Sequence, residues 1–238
     1  MGDRNHEAPL SATTAEFPIL TRPIPMLLTD DSVRSLSIAT EDGYDLAATL
    51  WTTPQARGLA LIAPATGVPH GFYRRFARHL NAAGLDALSF DWRGMSASRP
   101  PRGMRDPGLT MWNWGTRDLA SAISEGERLA AGRPLVFVGH SFGGQALGLA
   151  ANAERVQRAL FVGAQHGWMG HWPWQQRALL AFLWKVGLPA TTRLTGRFPA
   201  ALFGMGEPLP RDVALQWADW CSRCGTTPRG SCAARRRR

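Results

Sequence analysis

Six residues in the middle of the chain, Gly139-His140-Ser141-Phe142-Gly143-Gly144, set a hydroxyl nucleophile between small residues. They directly follow a continuous apolar run, Leu135–Val138, and open an apolar helical stretch, Gln145–Ala151. A buried strand that hands over to a helix through such a sequence must reverse sharply, and Cβ atoms at the flanking positions would collide. Glycine removes them and leaves the serine on a strained tip with its oxygen exposed. The helix that begins there points backbone N–H groups at the reacting centre and favours developing negative charge. Ser141 is therefore the expected catalytic nucleophile of an acyl-transfer reaction. The competing reading is a glycine-rich turn with an incidental serine, which the strand–turn–helix placement disfavours.

The elements that would hold Ser141 follow from hydrophobic patterning. Ser32–Ile38 and Tyr44–Trp51 read as strands joined through Glu41-Asp42-Gly43, an Asp-Gly hairpin turn. The rhythm then changes. Leu59–Ala63, Ala87–Phe90, Leu135–Val138 and Ala159–Val162 are short apolar runs of the kind found in a buried parallel sheet. Helical faces lie between them, one marked by Phe72, Phe76 and Leu80 and stopped at Gly84, another by Leu119, Ile123 and Leu129. Strand–helix repetition predicts an α/β fold, a mostly parallel sheet with helices on both faces. From His166 to about Phe203 the pattern breaks: Trp168, Trp172, Trp174, Phe182, Trp184 and Phe203 crowd among Gly and Pro, an amphipathic helix falls near Ala178–Val186, and no strand is evident. A helical cap-like insertion fits, its aromatic residues either lining an apolar pocket or packing the insertion onto the body.

With these motifs in place the chain resembles the α/β-hydrolase superfamily, and within it bacterial serine hydrolases of the monoacylglycerol-lipase and prolyl-aminopeptidase-like type. Besides the serine turn, Phe90-Asp91-Trp92-Arg93-Gly94-Met95-Ser96-Ala97-Ser98 matches that group's Asp-x-Arg-Gly-x-Gly-x-Ser signature, with Ser96 in place of the second glycine. The resemblance covers about Ser32 to Trp220 and implies an oxyanion hole from two amides. One is that of Phe142, after the nucleophile; the other comes from Ala65-Thr66-Gly67, with Thr66 preferred. It implies a structural role for Asp91, with Arg93 as its companion, and no role as base for His140.

A serine hydroxyl needs a base, and the base needs orienting. In this fold the partners follow in the order Ser, acid, His. Of His6, His70, His79, His140, His166 and His171, only the last two follow Ser141, and both come too early for the expected loop. Residues 221–238 change character abruptly, with six arginines, all three cysteines and no large apolar residue. An out-of-frame stretch is favoured over a genuine anion-binding tail, and Cys221-x-x-Cys224 lacks the further ligands a zinc site needs. The expected layout is an N-terminal extension (1–31), a core (32–165), the insertion (166–220) and a disordered basic tail (221–238). In this reading the last strands, with the acid and His, are missing, the sheet keeps an open edge, and activity is impaired.

The net charge of +9 falls to +3 without the tail, a mild charge taken as spread over the body, so no nucleic-acid partner is expected. The N-terminus lacks a secretory signal and no segment is long enough to span a bilayer, which predicts a cytoplasmic protein. No metal or organic cofactor is implied. The expected activity is hydrolysis of a carboxylic ester or related small-molecule acyl substrate through an acyl-enzyme on Ser141. The alternative is a non-catalytic α/β-hydrolase-like small-molecule-binding protein. Neither the substrate nor the oligomeric state is readable.

Overall fold

The computed structural model describes residues 32–99, 103, 106, 108–165, 167–204 and 206–223. The expectations for the extension 1–31, His166, the Phe203 side chain and the chain from Cys224 onward fall outside the described residues.

Six strands form one sheet in the order β1-β2-β4-β3-β5-β6. Strands β1 (Val33–Ala39) and β2 (Asp45–Trp51) make the expected antiparallel hairpin, and β2 pairs antiparallel with β4 (Asp86–Phe90). The rest is parallel: β4 with β3 (Leu59–Ala63), β3 with β5 (Leu135–His140), and β5 with β6 (Arg158–Val162). β3 and β4 are buried along their whole length because both faces are covered. On one face Ile62, Ala87 and Val138 meet Tyr73 and Ala77 around helix α1 (Arg74–Ala82). On the other, Leu61, Leu88, Phe90 and Phe137 meet Leu119, Ala122 and Ile123. These last belong to a helical stretch that starts as α2 (Met111–Asn113), widens into a π-turn at Trp114–Leu119 and continues as α3 (Ala120–Ala130).

Phe72 departs from its expected place. The helix begins only at Arg74, after a 3₁₀ turn at His70–Tyr73, and Phe72 is left 69% exposed while Tyr73 turns inward. The helix after the serine also begins earlier and ends sooner than expected, as α4 (Phe142–Ala146) and a 3₁₀ turn at Leu147–Leu149.

Beyond β6 the chain forms α5 (Trp174–Phe182), a π-turn at Leu183–Gly187 and α6 (Leu188–Thr195). Two-residue strands β7 (Arg197–Phe198) and β8 (Leu209–Pro210) pair antiparallel where no strand is expected. Two residues are too few to leave a periodic signal. Helix α7 (Arg211–Ser222) follows, and Cys221 is buried in its last turn rather than starting the tail. A free thiol behaves there as a small hydrophobe, and burial pushes its pKa up to about 12.

Among the described residues the sheet ends at β6, all five of whose residues are exposed, Leu160, Phe161 and Val162 included. The expected open edge is therefore present. No described helix is long and apolar enough to cross a membrane.

Candidate active site

Ser141 sits between β5 and α4 with φ 51° and ψ −118°, a backbone conformation that L-residues rarely adopt. Its neighbours show why glycine is needed on both sides. A Cβ on Gly139 would lie 2.4 Å from the Gly144 Cα, and one on Gly144 would lie 2.5 Å from the Ala164 Cβ. On Gly143 it would lie 2.2 Å from the Ala63 carbonyl oxygen and 2.8 Å from that of Pro64. The start of α4 is thus pressed against the end of β3, beside the loop that carries Ala65-Thr66-Gly67. The turn is tied to the sheet by the Ser141 amide, which donates to the Val162 carbonyl at 2.8 Å.

Tyr73 holds this loop in place. Its hydroxyl accepts from the Ala65 amide at 2.9 Å and lies 2.9 Å from His140 Nδ1, joining the β3 loop to the strand that carries Ser141. Burial pushes the phenol up to about 12, so it stays protonated at neutral pH. Ala65 is therefore spent as a donor, whereas the amides of Thr66 and Phe142 donate to no protein acceptor among the described residues. The Thr66 hydroxyl is buried without a partner there. Sequence reading misses Tyr73; a tyrosine next to an apolar helical face was the available signal.

A second support comes from the far end of the chain. The Glu207 amide donates to the Gly67 carbonyl at 2.8 Å, and its carboxylate accepts from the Ser96 amide at 3.0 Å and from Arg99 at 3.1 Å. Ser96 has φ 43°, which explains why glycine is usual at that place in the motif.

Asp91 is fully engaged. It accepts from the His70 amide at 2.7 Å and the Ala97 amide at 3.1 Å, and His70 Nδ1 lies 2.9 Å away at ion-pair distance without hydrogen-bond alignment. Its companion is thus His70 and not Arg93. Arg93 instead reaches Asp118 at 2.6 Å and Asp42 at 2.8 Å, across the π-turn and the first hairpin. Burial raises the Asp118 carboxyl to about 6 against the pull of Arg93, while the hydrogen bonds from Arg93 hold Asp42 well below the usual carboxylate range.

The Ser141 side chain is half-buried and makes no hydrogen bond among the described residues. His70 is turned to Asp91 and Thr49, and His140 to Tyr73; the His171 ring stacks edge-on to Trp168 at 5.0 Å. Trp220 of α7 approaches Phe142 with ring centroids 6.3 Å apart, so the last described helix overlies the serine turn. The described residues contain no cluster of three or more metal-ligating side chains.

A parallel sheet flanked by helices, with a strained serine at the β5–α4 turn, defines an α/β-hydrolase fold. The model of the alpha/beta hydrolase family matches residues 60–236, and the chain belongs to that family. One solved structure agrees on the fold at a TM-score above 0.5. A soluble variant of monoglyceride lipase from Saccharomyces cerevisiae is 19% identical with a TM-score of 0.54, over 82% of this chain and 70% of that one. A thermostable carboxyl esterase from Bacillus coagulans is 18% identical, with a TM-score of 0.47, 66% of this chain and 52% of that one being covered. A cold-adapted esterase from an Arctic intertidal metagenomic library is 23% identical, with a TM-score of 0.44, 56% of this chain and 62% of that one being covered. The chain thus spans between half and two thirds of the length of these two esterases. No match is found among curated proteins.

Proposed function

We propose that the chain is a serine hydrolase of impaired activity, acting on a carboxylic ester or related acyl bond through an acyl-enzyme on Ser141. The observation that carries the reading is Ser141 itself, held at positive φ with a hydroxyl that makes no hydrogen bond among the described residues. In this reading the Ser141 Oγ attacks the carbonyl carbon, its proton passing through water to the oxygen of the leaving alcohol, and the carbonyl oxygen gathers negative charge between the Phe142 and Thr66 amides. The leaving alcohol departs, and water then releases the acid from the acyl-enzyme. Gly143 supports the pairing of those two amides, because its contact with Ala63 brings the two loops together. Tyr73 supports the choice of Thr66 by occupying Ala65.

No described histidine hydrogen-bonds Ser141, and in this reading the chemistry is slow, with binding and the oxyanion donors contributing about 10³–10⁴-fold over water. The test is intact-mass analysis after incubation with an activated acetate ester. A slow, single acyl adduct that disappears in Ser141→Ala is expected, with little steady-state turnover. A folded protein that forms no Ser141-dependent adduct would instead be the small-molecule-binding protein, and rapid Ser141-dependent turnover would refute the loss of the base.

A further inference from the structure

Charge is not spread evenly over the body. From Arg155 to Gly206 the sequence holds six basic residues, Arg155, Arg158, Arg177, Lys185, Arg193 and Arg197, and no Asp or Glu. Only Arg155 has a carboxylate partner, Glu127; the other five enter no ion pair among the described residues. Arg177 is held by the carbonyls of Trp172 and Gly170, which fix its position without neutralising it.

The same stretch exposes large apolar side chains. Trp174 is 75% exposed, Leu179 70%, Phe182 61% and Val186 49%, and on α6 and the turn after it Leu194 and Leu202 exceed 80%. Leu179, Phe182 and Val186 follow a three- and four-residue spacing, so they run along one side of α5 and its π-turn. Trp184 and Leu188 on the other side are buried against the body. An outward stripe of Leu, Phe, Val and Trp whose only charged neighbours on α5 and α6 are cations is the composition of a helix that lies in a lipid headgroup layer.

We propose that the outer face of α5 and α6 docks onto an anionic lipid surface, with Leu179, Phe182 and Val186 entering the apolar boundary and Arg177, Lys185 and Arg193 meeting the headgroups. Charge decides between occupants. A second copy in a two-fold contact would set this acid-free face against itself, cation to cation. The arginines of residues 224–238 have the same sign and cannot neutralise it. A nucleic acid would use the cations but has no use for exposed Leu, Phe and Val. The proposal is independent of the chemistry at Ser141.

Flotation of the full chain with vesicles tests it, using phosphatidylcholine alone and phosphatidylcholine with about 30% phosphatidylglycerol. Binding is expected only to the anionic vesicles, weakening in about 0.5 M salt. The double variant Leu179→Glu/Phe182→Glu and the triple variant Arg177→Gln/Lys185→Gln/Arg193→Gln should each weaken it about tenfold or more, with unchanged circular-dichroism melts. Ser141→Ala and a variant with Arg235 to Arg238 replaced by Gln should bind within about threefold of the parent. Absence of binding to anionic vesicles overturns the proposal. So does binding that is lost with the terminal arginines and not with the helical face. A dimer dissolved by Leu179→Glu/Phe182→Glu without vesicle binding assigns the face to a second copy. Binding of single-stranded DNA, indifferent to that double variant and without vesicle binding, assigns it to a polyanion.

Discussion

Strands β5 and β6 lie side by side, parallel and in register over five residue pairs, yet one is core and the other is surface. Both are apolar in sequence, Leu-Val-Phe-Val against Ala-Leu-Phe-Val. Phe137 is 1% exposed and Phe161 52%, although their rings are only 6.4 Å apart. The difference arises from cover. β5 has β3 on its other side and helices on its faces, while β6 has no further strand beyond it among the described residues and meets mainly the short α4. It extends to charge: the half around β1–β5 is laced by Arg93 with Asp42 and Asp118, and by Arg133 with Asp86. From Val156 to Gly206 the sequence holds no Asp or Glu, and none of its Arg or Lys residues enters an ion pair among the described residues. Apolar composition thus marks a strand, while burial is decided by what packs on it.

Phe137→Ala should lower unfolding free energy by about 3–5 kcal/mol, through lost transfer energy and a cavity, whereas Phe161→Ala should lower it by less than about 1 kcal/mol. Urea denaturation of the two variants measures both, and equal losses would show that β6 is covered in solution. Asp42→Asn should remove about 1–2 kcal/mol at pH 7 by stripping Arg93 of one partner. Because Arg93 depresses the Asp42 pKa, this contribution is complete above the ordinary value of 3.8 and fades as pH falls through the depressed one. The gap between the melting curves of parent and Asp42→Asn should therefore begin to close below about pH 4 and narrow steadily as the pH falls further, and a gap of constant size in acid would detach Asp42 from the network. The smallest effect is expected at Ser96, where φ is 43°. Ser96→Gly should stabilise by about 0.5–1 kcal/mol, read as a rise in melting temperature, and a loss would mean that the Ser96 side chain contributes more than the strain it causes.

Much of this was legible in the sequence. Short apolar runs reveal β3 to β6 to within two residues because buried parallel strands need apolar side chains on both faces. The serine turn is legible because Gly139, Gly143 and Gly144 bracket Ser141 within six consecutive residues between an apolar run and a helical stretch. What escapes is set by distant partners. Nothing near Arg93 shows that Asp118, brought round by a π-turn, and Asp42, from a hairpin 51 residues away, outcompete Asp91 two residues off. Phe72 and Tyr73 are adjacent and both aromatic, and only the hydrogen bonds to Ala65 and His140 decide which one turns inward. Even charge was misread, because a net sum hides a run of about fifty residues without a single carboxylate.

The bond from the Ser141 amide to the Val162 carbonyl ties a strained residue to a strand that is exposed along its whole length. Strain at a positive φ persists only while its surroundings enforce it. The fraction of time that Ser141 spends at this φ should therefore follow the opening equilibrium of β6. Amide exchange at Ser141 should follow the fraying of that edge rather than the global unfolding of the core.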